Sequence, residues 1–354
     1  MPAGTRRGTV SGMDLTTAVK RLFAPASAPG ERVGAEVELI AVTDTDQPEP
    51  AAPRVLAAGF DDRFIAEARP SFEPGGQLEL SPPPSQWPAA LTAKLERLLR
   101  QARALTASRG VRLEYVGTNP YHSTADVPLR TAQPRYLAMQ RQFDQVGPDG
   151  RRMMRLTASL QITLDILPGP AGREQWLVAN LAGPPLTAAF ANSPWLDGQP
   201  ADIPNTRTRI WQGVDLRRSG YDGRHLDPRD PVGAYAAFAG AAPRLPIPEA
   251  RQAPYHLSTL FPPVRPRGGY FEVRYLDSQP LERIGAAIST LAVLLNDERC
   301  RRAALELLLP RLDDQDRAWS EAAVGFSPEG ADLLSIIASA RPLDPQLLAS
   351  GGVS

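Results

Sequence analysis

The chain of 354 residues holds a single cysteine, Cys300, and three histidines, His122, His225 and His256. One cysteine excludes an intrachain disulfide and agrees with a reducing cytoplasm. Three scattered histidines are too few for a histidine-cysteine zinc centre. Lysine plus arginine equals aspartate plus glutamate at 39 each, so no global field attracts nucleic acid or an anionic membrane. No apolar run reaches the ~18 residues that span a bilayer. The first dozen residues carry Arg6 and Arg7 without a following apolar stretch, which predicts a disordered tail rather than a leader. A glycine loop of the phosphate-cradling type is also missing, because Gly75-Gly76 reads as a turn rather than the start of a helix.

What remains plentiful is carboxylate. In Gly34-Ala35-Glu36-Val37-Glu38-Leu39-Ile40 two glutamates stand two apart inside an apolar run that reads as a strand, so they share one face while Ala35, Val37 and Leu39 share the other. A buried pair of like charges is unfavourable by several kcal/mol (~2 or more) unless cations neutralise it. For two such glutamates alone, a solvated strand face explains them as well. Carboxylates as ligands point to hard cations such as Mg2+ or Mn2+.

Along the chain, Asp14–Phe23 reads as a short capped helix and residues 41–60 as a loop without regular structure. A Pro-Gly-Gly turn at 74–76 leads into a strand on which Gln77 and Glu79 share the polar face. Leucines at 91, 95, 98 and 105 predict a core helix over 88–108, and strand Val111–Val116 and helix Pro134–Gln145 follow. Residues 155–166 alternate polar and apolar without a break, predicting one long strand whose polar face carries Thr157, Ser159 and Gln161. After a helical segment over 173–190, the stretch 205–220 is rich in arginines suited to forked binding of carboxylate or phosphate, with a solvated loop as the simpler reading. Glu272 and Arg274 share a face of the strand 269–277, and helices are expected over 281–295, 297–309, 316–324 and 328–339. Cys300 sits among charged neighbours and reads as a surface or half-buried thiol rather than a nucleophile.

Strands with one polar face, few parallel βαβ units and many helices predict an α+β fold with an antiparallel sheet. Brought into one cleft, Glu36, Glu38, Glu79 and Glu272 exceed the needs of one cation. Two or three Mg2+ ions bridging phosphates would use them all, and Arg274 beside them would steady a transferring phosphoryl group.

Six stretches occurring in one order then resemble the plant and proteobacterial type of the glutamate-cysteine ligase family, its actinobacterial ergothioneine-pathway branch in particular. They are Gly34–Glu38, Phe72-Glu-Pro-Gly-Gly-Gln-Leu-Glu-Leu-Ser81, Ala191–Pro194, Arg207–Trp211 running on to Asp215 and Gly220, His256–Pro262 with Arg265, and Glu272-Val-Arg274. The resemblance spans residues 30 to 280. It implies a glutamine-synthetase-like antiparallel sheet forming a funnel-shaped site, and a cytoplasmic enzyme that activates glutamate with ATP and lets the amine of cysteine displace phosphate. Its substrates are small molecules, with neither nucleic acid nor membrane as partner.

Carried over by position, the resemblance implies metal ligands at Glu36, Glu38, Glu79 and Glu272, with Glu73 a further one, and a phosphoryl contact at Arg274. It puts Arg207 and Trp211 in the amino-acid site, joined by Gln161, Ser159 and Arg265. Some members of the wider superfamily have a histidine ligand where this chain has Gln161. A single catalytic domain over 13–340 is expected, with flexible tails at 1–12 and 341–354. A ligase of the same fold with another acceptor amine, or a catalytically silent glutamate or nucleotide sensor, are the competing readings.

Overall fold

The computed structural model describes residues 13–27 and 31–340, so the tails expected at 1–12 and 341–354 lie outside the described residues. Nine strands are present among the described residues: β1 (Val33–Thr43), β2 (Pro70–Phe72), β3 (Leu78–Leu80), β4 (Val111–Glu114), β5 (Ser159–Asp165), β6 (Trp195–Leu196), β7 (Gln199–Pro200), β8 (Val264–Pro266) and β9 (Tyr270–Asp277). Seven of them form one open antiparallel sheet in the order β2-β3-β1-β5-β9-β8, with β4 paired to the far end of β1; β6 and β7 form a separate hairpin. The fold is α+β, with helices flanking the sheet.

The alternation along β1 sorts its side chains as the sequence requires. Val33, Ala35, Val37 and Leu39 join Leu78, Leu80, Leu160, Ile162, Leu164 and Val273 in the core, covered by the helices Pro88–Ala107 and Leu281–Asn296. The other face is enclosed as well. The helices Pro134–Phe143, Asp149–Leu156 and Thr206–Gly213 contribute residues to a cavity over it, so its polar side chains are buried, as Glu38 and Gln161 are, or half-buried, as Glu36, Glu79 and Arg274 are.

Register brings the polar residues into a band across the strands. Glu38 stands directly opposite Glu79, Glu36 opposite Gln161, and Arg265 opposite Glu272. The β5–β9 register shifts between Leu160 and Ile162, an irregularity that sets two residues of β9, Arg274 and Tyr275, against Gln161. Like charges directly across an antiparallel pair are unfavourable. Glu38 and Glu79 therefore form a pairing that the fold tolerates rather than one it gains from.

Three expectations need correction. Residues 41–60 are not a plain loop: β1 runs on to Thr43, and Pro53–Ala57 is a helix with proline in its first turn and Leu56 fully buried. A second helix, Asp62–Ala68, follows, capped by Asp61, whose carboxylate accepts from the Phe64 amide at 2.7 Å. The alternating run at 155–166 is not one strand. Arg155 and Leu156 end a helix, Thr157 is extended, and the strand begins at Ser159. The helix wins there because Arg155 is drawn back toward its neighbours, its guanidinium bonding Gln140 Oε1 and the Thr124 carbonyl. The arginine-rich stretch is no solvated loop either, since it forms the helices Thr206–Gly213 and Leu216–Ser219 with Arg207 and Arg218 buried.

Cys300, expected at the surface or half-buried, is instead buried in the helix Glu298–Leu308, where burial and then Asp297 push its thiol up to about 11. That makes it inert at neutral pH. Among the described residues no helix is long and apolar enough to cross a membrane.

Candidate active site

The cavity on the polar face has a volume of about 160 Å³. Its strand-derived wall begins with Glu36 and Glu38 of β1 and Glu79 of β3. Glu73 reaches it through the turn between β2 and β3, which only glycine can make. Gly76 has φ +95°, and a Cβ on Gly75 would collide with the backbone of Arg155. Hydrogen bonds Gly76 N to Glu73 O (2.8 Å) and Glu73 N to Gln77 O (2.9 Å) close the turn, so Glu73 and Glu79 are delivered together.

Carboxylate oxygens of Glu38, Glu73 and Glu79 lie within 4.8 Å of one another. The electrostatics register that crowding. Burial first, then the charges of Glu79 and Glu272, raise the Glu36 carboxyl to about 8. Burial, then Glu38 and Glu79, raise Glu73 to about 8 as well. Glu79 moves up for the same reasons, partly offset by the Ser71 hydroxyl, which donates to it at 2.6 Å. An all-oxygen, carboxylate-rich set whose ionised form is disfavoured without a counter-charge is a donor set suited to hard divalent cations.

Glu38 is the best-supported member. It accepts from the Ser159 amide at 2.7 Å and from Gln161 Nε2 at 2.8 Å. Gln161 in turn accepts from Arg274 Nη1 at 2.7 Å, and the same Nη1 donates to Glu272 at 2.8 Å. Glu272 differs from the other carboxylates. Arg265 (3.4 Å) and Arg267 (3.5 Å) also face it, and although burial acts to raise its carboxyl, the three arginines hold it at about 2.

The cavity brings together all the residues expected from the sequence except Glu272, which lies behind Arg274 and Arg265 rather than in the wall. Arg207 is less free than its motif suggested, because its two Nη atoms donate to the carbonyls of Tyr275 (3.0 Å) and Arg274 (2.9 Å). Its Nε and the Trp211 Nε1 are buried without a hydrogen-bond partner among the described residues. Both residues line the cavity, while these two nitrogens are themselves covered by protein.

Sequence reasoning missed the wall supplied by helices: Arg135, Tyr136 and Met139 from Pro134–Phe143, Met153 and Met154 from Asp149–Leu156, and Phe261. The helix at 134 was legible, but which of its faces meets the sheet depends on the loops that dock it. Arg265 and Arg274 both lie over the Phe261 ring, at 5.6 and 5.8 Å.

The architecture has counterparts among solved structures. A glutamate-cysteine ligase from Francisella tularensis, solved in complex with AMP, superposes with a TM-score of 0.51 at 14% identity, over 91% of this chain and 81% of that one. A bifunctional glutathione synthetase from Pasteurella multocida gives 0.50 at 14% identity, over 95% of this chain and 48% of its own. These likenesses concern the fold: an open antiparallel sheet with flanking helices.

Sequence goes further. The profile of glutamate-cysteine ligase family 2 matches residues 32–326, and the chain belongs to that family. It is 36% identical over 283 residues to the glutamate-cysteine ligase EgtA of Mycolicibacterium smegmatis, covering 71% of this chain and 65% of that protein. To the chloroplastic glutamate-cysteine ligase of Arabidopsis thaliana it is 31% identical over 267 residues, covering 67% of this chain and 51% of the plant protein. The chain thus spans less than two thirds of the length of these relatives.

Proposed function

We propose that the chain joins L-glutamate to L-cysteine at the expense of ATP, through γ-glutamyl phosphate, giving γ-glutamylcysteine, ADP and phosphate, in the cytoplasm and as a source for ergothioneine assembly. The observation that carries this reading is the convergence of Glu36, Glu38, Glu73 and Glu79 with Arg274 on one buried face of the sheet, in a member of the glutamate-cysteine ligase family.

Glutamate's γ-carboxylate is a poor acyl donor because its leaving group would be oxide, and phosphorylation by ATP replaces that leaving group with phosphate. Glu36, Glu38, Glu73 and Glu79 fit Mg2+ or Mn2+, with the ionised Glu272 at the edge of the set. Such cations, when bound, neutralise charge on the phosphates. Arg274 has one Nη tied to Gln161 and Glu272, and the rest of its guanidinium serves the transferring phosphoryl group. Ser159 and Gln161 fix Glu38, and Arg265 holds the charge of Glu272 in place beside Arg274. Arg207 and Trp211, which line the same cavity, serve the amino-acid substrate. The acceptor amine then attacks the acyl phosphate, the C–N bond forms, and phosphate leaves with the electron pair of the C–O bond. No enzyme nucleophile enters, and the inert Cys300 is in keeping with that.

The test is phosphate release from Mg-ATP and glutamate with a panel of amines. Cysteine-dependent release is expected. Its absence, with ATP and metal present, would sink the proposal.

A further inference from the structure

Asn192 and Ser193 stand outside the cavity, yet they tie together two elements that reach it. Asn192 docks on the end of β9, where its amide donates to Asp277 Oδ2 at 2.7 Å and its Nδ2 to the Ser278 carbonyl at 2.8 Å. Ser193 docks on the helix Thr206–Gly213. Its hydroxyl oxygen accepts from the Arg207 amide at 3.1 Å, and its carbonyl accepts from the Thr206 amide at 3.1 Å. Asp277 is thereby set with its other oxygen 3.8 Å from Arg207 Nη1, and both side chains are buried. Only a glycine at 117 leaves room for that carboxylate, since a Cβ there would come within 2.5 Å of Asp277 Cγ. Burial pushes the Asp277 carboxyl up to about 6, opposed by Arg207 first and then by the Asn192 amide and Ser193, so it is charged at neutral pH.

Arg207 carries this ordering to the reaction centre. The register shift sets Arg274 and Tyr275 together against Gln161, and the Arg207 fork holds both of their carbonyls, Nη2 on Arg274 at 2.9 Å and Nη1 on Tyr275 at 3.0 Å. A planar fork with two fixed contacts sets the orientation of the backbone it grips. Arg274 then turns its own Nη1 to Gln161 and Glu272. Building on the phosphoryl contact proposed for Arg274, we infer that Asp277 is a positioning residue: its charge holds the Arg207 fork on these two carbonyls, and that grip sets the Arg274 side chain for the transfer. Asp277 is the only ion-pair partner of Arg207 among the described residues. Without it Arg207 is a buried cation lacking its counter-charge, and its fork is drawn toward the cavity and away from β9. The stretch Ala191–Pro194 thus acts on the reaction without touching a substrate.

The test is Asp277→Asn in the full chain, assayed with Mg-ATP, glutamate and cysteine. Asparagine keeps the shape and an oxygen for the Asn192 amide while removing the charge. Turnover (kcat) should fall about tenfold with KM for ATP, glutamate and cysteine within about threefold, the pattern of an interaction that serves the transition state rather than binding. In an Arg274→Ala background the same substitution should lower kcat by at most about twofold further, because both changes act through one side chain. An unchanged kcat in folded Asp277→Asn, a rise in KM alone, or the full tenfold loss persisting without Arg274 would each overturn the inference. Ser193→Ala decides if Asp277→Asn does not fold. A loss of kcat of about threefold that vanishes beside Arg274→Ala supports the inference, and a wild-type kcat, or a loss that persists there, overturns it. No phosphate release by the unsubstituted chain with any acceptor is a different outcome, and it would overturn the ligase reading on which the inference rests.

Discussion

Arg274 Nη1 donates to Gln161 Oε1 at 2.7 Å, and this bond fixes which way the amide points. With the oxygen turned to Arg274, the Gln161 nitrogen faces Glu38 and donates at 2.8 Å. One glutamine thus couples Arg274, the arginine proposed to contact the phosphoryl group, to the carboxylates of the cavity, and the β5–β9 register shift sets Arg274 and Tyr275 of β9 against it. The coupling predicts that Arg274→Ala lowers kcat by about 10²- to 10³-fold, the effect of removing a charge-stabilising donor, with a much smaller change in KM for ATP. Arg274→Lys should recover little, because a single ammonium does not serve Gln161, Glu272 and a phosphoryl group from one planar fork. Steady-state kinetics checks both, and near-wild-type turnover in Arg274→Ala would remove this residue from the site.

Glu36 and Glu73 make stability depend on pH in a direction opposite to that of an ion-paired carboxylate such as Glu272. Each has a folded value of about 8 against an ordinary 4.5, raised by burial and by neighbouring glutamates. Between those values the folded state holds more protons than the unfolded state, so stability falls as pH rises toward 8. His225, pushed down from 6.5 to about 4 by burial, acts the other way, its contribution being complete above 6.5 and lost as pH falls to 4. The clean window is therefore pH 6.5 to 8. Urea unfolding of the metal-free protein should show declining stability across it, and saturating Mg2+ should flatten the decline by favouring the ionised carboxylates. A metal-free protein whose stability is level or rising there would contradict the cradle's electrostatics.

Trp211 offers a way to separate binding from folding. Its Nε1 is buried without a partner among the described residues, so Trp211→Phe removes an unsatisfied donor as well as part of a ring. Thermal unfolding of the unliganded variant should change by no more than about 1 kcal/mol, while KM for an amino-acid substrate rises severalfold. A large loss of stability with unchanged KM would make Trp211 a packing residue only.

Gly75→Ala tests the turn that delivers Glu73 and Glu79. A Cβ there would overlap the Arg155 carbonyl, which is backbone and has little freedom to yield. A destabilisation of about 1–3 kcal/mol is expected, with weakened Mg2+ response as Glu73 shifts. Calorimetry and Mg2+ titration read the two effects separately.

The strand-borne half of the site was legible because a strand's period of two forces residues such as Glu36 and Glu38, or Glu272 and Arg274, onto one face whatever the sheet's neighbours are. Antiparallel character was legible from the same alternation. The break at Thr157 was not, since Arg155-Leu156 suits the last turn of a helix as well as a strand, and the deciding contacts to Thr124 and Gln140 are distant in sequence. The methionine wall was hidden for a related reason. Met139, Met153 and Met154 look like ordinary core positions until the tertiary fold turns two helices toward the carboxylates. Glu272 was placed on the correct face beside Arg274, but Arg265 and Arg267, which also face it, are brought there by the β8–β9 pairing and could not be counted beforehand.

Activation of glutamate's own carboxylate is the central step of the proposed reaction, and isotope transfer tests it directly. Glutamate labelled with 18O in its γ-carboxylate is incubated with Mg-ATP, cysteine and the full chain, and the released phosphate is analysed by mass. One 18O atom per phosphate is the predicted result, because the oxygen that leaves as the amide forms is the one that was phosphorylated. Amide product accompanied by unlabelled phosphate would contradict it.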